Sequence, residues 1–366
     1  MKEKIAPEIR EVLEAVHYRP AVSVILPFET KIGLMAELQK ELKYAFDKVE
    51  KQLKEQYPPE QAEPVFRKLL TMAADIQVPA NKKGIALFAS PVYEKLLFLD
   101  AMVPARVVID ESFEIRDLVF SRKEQQQFIL FLLSSEHCKL FMGENGQLMP
   151  VKLQSPDSLE AYWNDSVERV SNFTDPDEYK TTQVEKFMRQ MDKELQQVMN
   201  SHRLPVFIMG TKTILGLFKS ITRNSSVISG YAEGNFDNAS VPQLLQVLEP
   251  AFAAWKRRQH NQLLEQIEQA ANEKKLATGI QDVWEQAYQK KGRLLIVEKN
   301  FTAAGEHISD GKIVYKPTGK ENDFHLSNDV VDDAIELVLR YGGDVAFVED
   351  GSLQQFDHIA LIQFYV

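Results

Sequence analysis

The sequence predicts a mixed α/β protein built in three parts, and three observations lead there. Short apolar, β-branched segments alternate with longer stretches of helical period, the pattern of sheets covered by helices. The chain has 366 residues, and at roughly 100–200 residues per domain that calls for two or three domains. Two long helical segments meet at Pro250 and look like a linker between domains. The expected parts are an N-terminal α/β domain over 1–134, a middle α/β domain over 135–245 and a C-terminal α/β/α domain over 246–366.

The N-terminus, "MKEKIAPEIREVLEAV", has the pattern of an amphipathic helix. "AVSVILPF" (21–28) is β-branched and apolar and predicts a buried strand. Behind it Met35, Leu38, Leu42, Phe46, Val49 and Leu53 recur at helical spacing with Lys and Glu between them. "YPPEQ" ends that helix, since proline cannot continue it, and a second helix follows over 62–74. "KKGIALFAS", "EKLLFLDA" and "ARVVIDESFEI" predict three strands. "RKEQQQFILFLLSS" predicts a helix with Phe128, Leu130 and Leu133 inward.

"HCKLFMGENGQLMPVKL" carries two short apolar segments around Asn145-Gly146. Asn-Gly between strands is the strongest short hairpin signal, because a type I′ turn needs positive φ at both central residues. The Gly146-Gln147 pair, with Gly143 nearby, also echoes the Gly-Gly-Gln tip of translation release factors, but the turn explains Gly146 sufficiently. From 154 to 182 the sequence is polar and keeps no sustained period, apart from a short helix expected within 159–170. A stretch so long without clear structure points to function or disorder. A helix through Val184, Phe187, Met188, Met191, Leu195 and Val198 follows it. Next come the strand "LPVFIMG", the helix "TKTILGLFKSI" and a strand and loop in "SSVISGYAEGNFDN". The last part alternates helix 278–290, strand "RLLIVEK", an extra hairpin near "GKIVYKP", helix "NDVVDDAIELVLRYGG", and strands "DVAFVED" and "HIALIQFYV".

Composition narrows the chemistry. Hydrophobic residues are 44% and charged residues 26%, as in ordinary soluble proteins, and no apolar run reaches the roughly 18 residues of a membrane span. Cys138 is the single cysteine, so a disulfide framework or cysteine zinc site is ruled out, and the cytoplasm is the expected compartment. The seven histidines are scattered with no HExxH, and no metal or cofactor is expected. A formal net charge of −10 argues against DNA and against nonspecific nucleic-acid binding, which needs clustered Lys and Arg, yet it leaves room for a local basic face such as "WKRRQH". "MGTKTILG" departs from the phosphate-loop pattern, because no glycine stands directly beside Lys212, and predicts only a helix N-terminus. Gly342-Gly343 sits where a helix C-cap belongs, Asp332-Asp333 on a solvated helix face, and Trp255 and Trp284 in the core; Trp163, in the polar stretch, is harder to assign to packing.

In their order these pieces resemble the archaeo-eukaryotic peptide-chain release factors and Pelota-like proteins, most closely the third of the bacterial archaeo-eukaryotic release factor families. "VSVILPFETKIGLMAELQKEL" and "NKKGIALFAS" resemble the family's opening, and "KLFMGENGQLM" the first hairpin of its middle domain. "LPVFIMGTKTILGLF" and "ISGYAEGNFDNASVPQLLQ" are similar to that domain's central and exit strands. "TGIQDVWEQAYQKKGRLLIVEKN" and "GGDVAFVED…HIALIQFY" resemble its ribosomal-protein-like third domain. The resemblance places a Gly-Gly-Gln loop between the hairpin and the next long helix, but the interval 154–182 contains no glycine. It places the stop-codon-reading motif between the first two long helices, where this chain has "LKEQYPPEQAE".

The resemblance therefore implies a translation-associated protein that binds the ribosome or tRNA without hydrolytic tip or stop-codon reader. Candidate RNA contacts are Lys256, Arg257 and Arg258, and Lys290, Lys291 and Arg293, which could equally be solvated helix faces. A second reading is a peptidyl-tRNA hydrolase acting through the substituted loop, with Tyr162, Trp163, Asn164, Asp165 and Lys180 as its chemically active groups. A third, favoured by the acidic charge, is an interaction protein unconnected to translation. A non-catalytic factor is the expectation.

Overall fold

The computed structural model describes residues 6–15, 19–29, 31, 33–125, 127–165, 176–308, 312–315 and 329–365, with backbone alone described at 163–165, 176–180, 306–308 and 312–315. The mixture of helices and sheets is as the sequence predicts. Two compact units form: Met1–Gln125 together with Leu263–Val366, and Gln126–Gln262.

The first unit begins with α1 (Pro7–Glu14), β1 (Ala21–Pro27), α2 (Leu34–Gln56), α3 (Pro59–Ala74), β2 (Gly84–Ala89), β3 (Glu94–Leu99), β4 (Arg106–Asp110) and α4 (Arg116–Glu124). The strands form an antiparallel sheet in the order β3-β2-β1-β4. β1 is buried on both faces, which is why its sequence is apolar throughout. Val22, Val24 and Leu26 meet the stripe Leu38, Leu42, Phe46, Val49 and Leu53 of α2, and Ala21 and Ile25 join a second core on the opposite face. Met35 drops out of the stripe and is exposed. The Tyr57 N–H closes α2 on the Leu53 carbonyl, and Pro59 occupies the first turn of α3, where its missing N–H is not needed.

The second unit holds β5 (Gln127–Leu133), β6 (Cys138–Glu144), β7 (Gln147–Val151), α5 (Leu159–Asp165), α6 (Pro176–Ser201), β8 (Val206–Gly210), α7 (Lys212–Ile221), β9 (Ile228–Glu233) and most of α8 (Val241–Asn272). Its sheet runs β7-β6-β5-β8-β9, with β5, β8 and β9 parallel and the β6–β7 hairpin antiparallel. β5 corrects the helix expected over "RKEQQQFILFLLSS": the helix stops at Glu124 and the apolar run becomes the central strand. Alternate side chains enter two different cores. Ile129, Phe131 and Leu133 face α6 and α7, while Phe128, Leu130 and Leu132 face α8. A strand buried on both faces loses its period of two and cannot be told from a buried helix by pattern alone. The strand belongs with the residues that follow it, in the compact unit Gln126–Gln262.

α8 runs unbroken through Pro250, and the second division falls within it, after Gln262. The first unit then resumes with β10 (Leu276–Thr278), α9 (Gly279–Tyr288), β11 (Gly292–Glu298), β12 (Gly305–Ile308), β13 (Lys312–Tyr315), α10 (Val330–Arg340), β14 (Asp344–Val348) and β15 (Ile359–Gln363). Sheet order is β10-β15-β11-β14, with only β11 and β14 parallel; β12 and β13 make a separate hairpin. α9 and α10 pack one face through Val283, Trp284, Ala287, Val331 and Ile335. Ile267 and Ala270 at the end of α8 cover the other against Ile296, Ala360 and Ile362, giving three layers, helix–sheet–helix. The core under α9 and α10 continues into Phe88, Phe113 and Leu118 of the first segment, so one apolar core joins the two segments of this unit.

Candidate nucleic-acid interface

The Gly-Gln pair lies in the β6–β7 turn. Asn145 has φ 47° and Gly146 φ 80°, and Glu144 pairs with Gln147, as a two-residue type I′ turn requires. Gly143 has a separate reason. It lies within β6, where a Cβ would meet the Phe128 ring at 2.3 Å, so the glycine makes room for a core phenylalanine. Neither glycine is a free backbone hinge beside a reactive glutamine.

The polar interval after the hairpin is anchored at its start. Glu194 of α6 accepts from the N–H groups of Gln154 (3.0 Å) and Ser155 (3.2 Å) and from the Ser155 hydroxyl (2.6 Å), and the Cys138 N–H donates to the Asp157 carbonyl at 2.7 Å. Tyr162 lies on α5, half-buried, with its ring centroid 5.8 Å from that of Phe187 in the core. Packing therefore accounts for Tyr162. Trp163, Asn164 and Asp165 continue α5 and Lys180 lies on α6, but their side chains fall outside the described residues. Burial pushes the thiol of Cys138 up, which leaves the single cysteine inert as a nucleophile.

"MGTKTILG" forms the turn from β8 into α7. A Cβ on Gly210 would meet the Leu133 carbonyl oxygen at 2.6 Å, so this glycine serves close strand packing. Lys212 and Thr213 are exposed at the helix start, as expected for an ordinary helix N-terminus.

The two basic groups lie in different units. Lys256, Arg257 and Arg258 are exposed on α8 within the second unit, next to Trp255, whose ring packs edge-on against Phe207 and Phe252. Arg258 also donates to the Ser229 carbonyl, which fixes it against β9. Lys290, Lys291 and Arg293 occupy the passage from α9 into β11 in the first unit. Lys290, at φ 62°, closes α9 by donating its N–H to Ala287, and its Nζ lies 4.6 Å from the centre of the Tyr341 ring. A cation at a helix C-terminus is favoured by the helix dipole.

A charged cluster unforeseen in the sequence lies buried in the first unit. Asp332 corrects the expected solvated face: it is 3% exposed, and its Oδ1 accepts from the N–H groups of Ile115 (2.9 Å) and Arg116 (2.6 Å), capping α4 from α10. Asp329 caps its own helix, accepting from Val331 (3.2 Å), and pairs with Arg116 at 3.1 Å. Arg106 faces Asp117 at 3.2 Å, Asp329 at 3.7 Å and Glu114 at 3.9 Å. Four carboxyls thus meet two guanidiniums and two helix N-termini, each worth about half a positive charge. The signal was present in "ESFEIRDLVF", where charges interrupt an apolar run, but the partners are more than 200 positions away in "DVVDD".

Burial pushes the Glu114 carboxyl well above its ordinary range, and Asp329 adds to this against the pull of Arg106. Burial also raises Asp332, with Glu114 the next cause. A carboxyl raised in the folded state contributes stability that is full below its ordinary pKa and fades as pH climbs towards the raised value. The stability of this unit is therefore expected to fall as pH rises above the ordinary carboxyl range, by ~1.4 kcal/mol for each pKa unit of displacement. Glu114→Gln, neutral throughout, should flatten that slope and exceed the wild type in stability at the alkaline end. Urea titrations across that rise in pH decide it; a slope identical to that of the wild type would contradict the assignment.

Among the described residues no helix is long and apolar enough to cross a membrane, and no group of three or more His, Cys, Asp or Glu is placed to hold a metal ion. The middle sheet, with its hairpin, parallel strands and covering helices, belongs to the stretch that carries a family signature. Residues 127–291 match the family model described as bacterial archaeo-eukaryotic release factor family 3, which bears out the resemblance for the stretch from β5 to the end of α9. The stretch is thus release-factor-like and tied to a translation-related family. No curated protein matches the chain. Among solved structures it is similar to an archaeal translation termination factor, aRF1, at 11% identity over 98% of this chain and 96% of that one, TM-score 0.26. It is similar to Dom34 of S. cerevisiae, a translation termination-like factor, at 11% identity over 81% and 77%, TM-score 0.41. A chain in a model of ribosome-bound archaeal Pelota and ABCE1 is 8% identical over 100% and 95%, TM-score 0.45.

Proposed function

We propose that this protein is a translation-associated factor that binds the ribosome or tRNA in the cytoplasm and does not release peptides through a Gly-Gly-Gln tip. The observation that carries the proposal is the release-factor family match over 127–291 in a chain whose interval 154–182 has no glycine. The tip's chemistry needs backbone freedom at two glycines beside a glutamine. Here the two hairpin glycines are accounted for by a turn and a packed ring. Exposed Lys256 and Arg257 on α8, and Lys290 and Arg293 beside β11, are the cations offered to RNA phosphates.

Sedimentation of the full chain with ribosomal particles through a sucrose gradient tests this. The expected result is co-migration that weakens as salt rises, and no release of peptide from peptidyl-tRNA above background. A protein that stays wholly at the top of the gradient would overturn the proposal in favour of a partner outside translation. Peptide release abolished by Asn164→Ala, Asp165→Ala or Lys180→Ala would overturn it in favour of hydrolysis through the substituted loop.

A further inference from the structure

We propose that one end of the C-terminal sheet, where exposed aromatic rings and cations are interleaved, is a binding surface for single-stranded RNA; this rests on the translation role proposed above and names the chemistry of its contact. Tyr288 and Tyr365 are each 55% exposed, Phe364 41% and Tyr341 40%. Backbone contacts hold these positions together. The Phe364 N–H donates to the Lys291 carbonyl at 2.9 Å, Gly292 pairs with Gln363, and Lys290 sits over Tyr341. Gly343 permits the approach of the two helix ends, since a Cβ there would lie 2.5 Å from the Gly292 carbonyl oxygen.

The same end carries more positive charge. The Gln363 N–H donates to the Lys275 carbonyl at 2.9 Å, which brings the α8–β10 turn, with Lys274 and Lys275, beside β15. Of the nearby carboxylates, Glu273 pairs with Lys275 at 2.9 Å and Asp344 with Lys123 at 2.7 Å, while Glu285 accepts from the Gln289 amide at 3.2 Å. Lys274, Lys290, Lys291 and Arg293 add a local basic group on a chain of net charge −10, with Arg293 lying near Glu273 and Lys290 over the Tyr341 ring. Four exposed rings between cations suit a strand whose bases are unstacked and whose phosphates face the lysines. Charge alone would suit any polyanion. The rings select for bases, and a duplex, with its bases stacked inside, cannot use them.

The test uses the full chain and a labelled single-stranded RNA of about twelve nucleotides of mixed sequence, followed by fluorescence anisotropy. The strand is expected to bind, and its annealed duplex to bind at least about ten-fold more weakly. Tyr288→Ala and Tyr365→Ala should each weaken binding by about ten-fold, with melting temperature unchanged because both rings are exposed. Tyr365→Leu, which keeps apolar area but removes the ring face, should behave like the alanine variant. Lys290→Ala should lower the salt slope of log Kd by about 0.7. Equal binding of strand and duplex, full affinity in the tyrosine variants, or displacement by poly-glutamate at matched charge would each overturn the proposal. Failure here is separable from failure of the translation role. A chain that sediments with ribosomes but binds no single strand defeats only this surface, whereas one that binds the strand but never sediments defeats the ribosome.

Discussion

Arg116→Leu is expected to destabilise the unit made of Met1–Gln125 and Leu263–Val366 by about 3–5 kcal/mol, the usual cost of removing one partner from a buried ion pair. The guanidinium is 1% exposed: Nη1 donates to Asp329 at 3.1 Å, and Nη2 donates to the carbonyls of Glu298 (3.1 Å) and Lys299 (2.8 Å). These acceptors come from the end of β11 and the start of α10, while Arg116 itself starts α4. One side chain therefore ties the first segment of the unit to the last. Leucine fills part of the volume but removes the guanidinium's bonds: Asp329 keeps the Val331 and Ala303 N–H groups and the Glu298 carbonyl keeps that of Phe301, while the Lys299 carbonyl loses Arg116, in a pocket that still holds Glu114, Asp117 and Asp332. Arg116→Lys should recover part of the loss, because it restores the charge without the planar fork that reaches three acceptors. The deficit should also shrink as pH falls, since the stranded carboxyls can then take up protons. Calorimetry on the full chain reads this as a lowered transition for the first unit while that of Gln126–Gln262 holds. A loss under about 1 kcal/mol would show that the cluster does not bind the two segments together.

The elements that could be read from the sequence are those with a single buried face or a local turn chemistry. The stripe of α2, the Asn145-Gly146 hairpin and the Gly342 cap, with φ 86°, needed only local rules. β5 could not be read in this way, because both of its faces are buried and its alternation is erased. Asp332 was misjudged for a related reason. A carboxylate on a helix is solvated unless something distant needs it, and here the orphan N–H groups of α4 do. Tyr162 stood out as chemistry in a polar stretch, yet its ring is held by Phe187, a contact that depends on how α5 folds back on α6. Of the candidate interface, the lysines were legible as charge, but the rings that accompany them come from three separate segments. Only the sheet register brings Tyr288, Tyr341 and Phe364 to one end.

Phe207→Ala is expected to cost the second unit about 3–5 kcal/mol, the range for truncating a buried aromatic ring. Phe207 is fully buried on β8, stacks on Phe252 of α8 with centroids 5.0 Å apart, and meets Phe128 and Trp255 edge-on at 5.9 and 6.3 Å. Two glycines make room for this cluster. A Cβ on Gly230 would meet the Phe207 ring at 3.0 Å, and one on Gly143 the Phe128 ring at 2.3 Å. Because Phe128 is seated over Gly143, it cannot slide to fill the space that Phe207 leaves, so the cavity persists and its cost is added to the lost transfer energy. The damage falls on the attachment of α8 to the sheet, which rests on Leu244, Leu248, Phe252 and Trp255. Trp255 fluorescence should shift to the red as its packing loosens, and the transition of this unit should fall while that of the first unit stays. Lys256 and Arg257 follow Trp255 directly on the helix, so ribosome co-sedimentation should fail at a lower temperature in the variant than in the wild type. Phe207→Leu, which keeps much of the volume, should lose less of both. Should the alanine variant melt with the wild type, α8 must be held to the sheet by its aliphatic contacts alone, and the aromatic cluster would not be what fixes the basic segment in place.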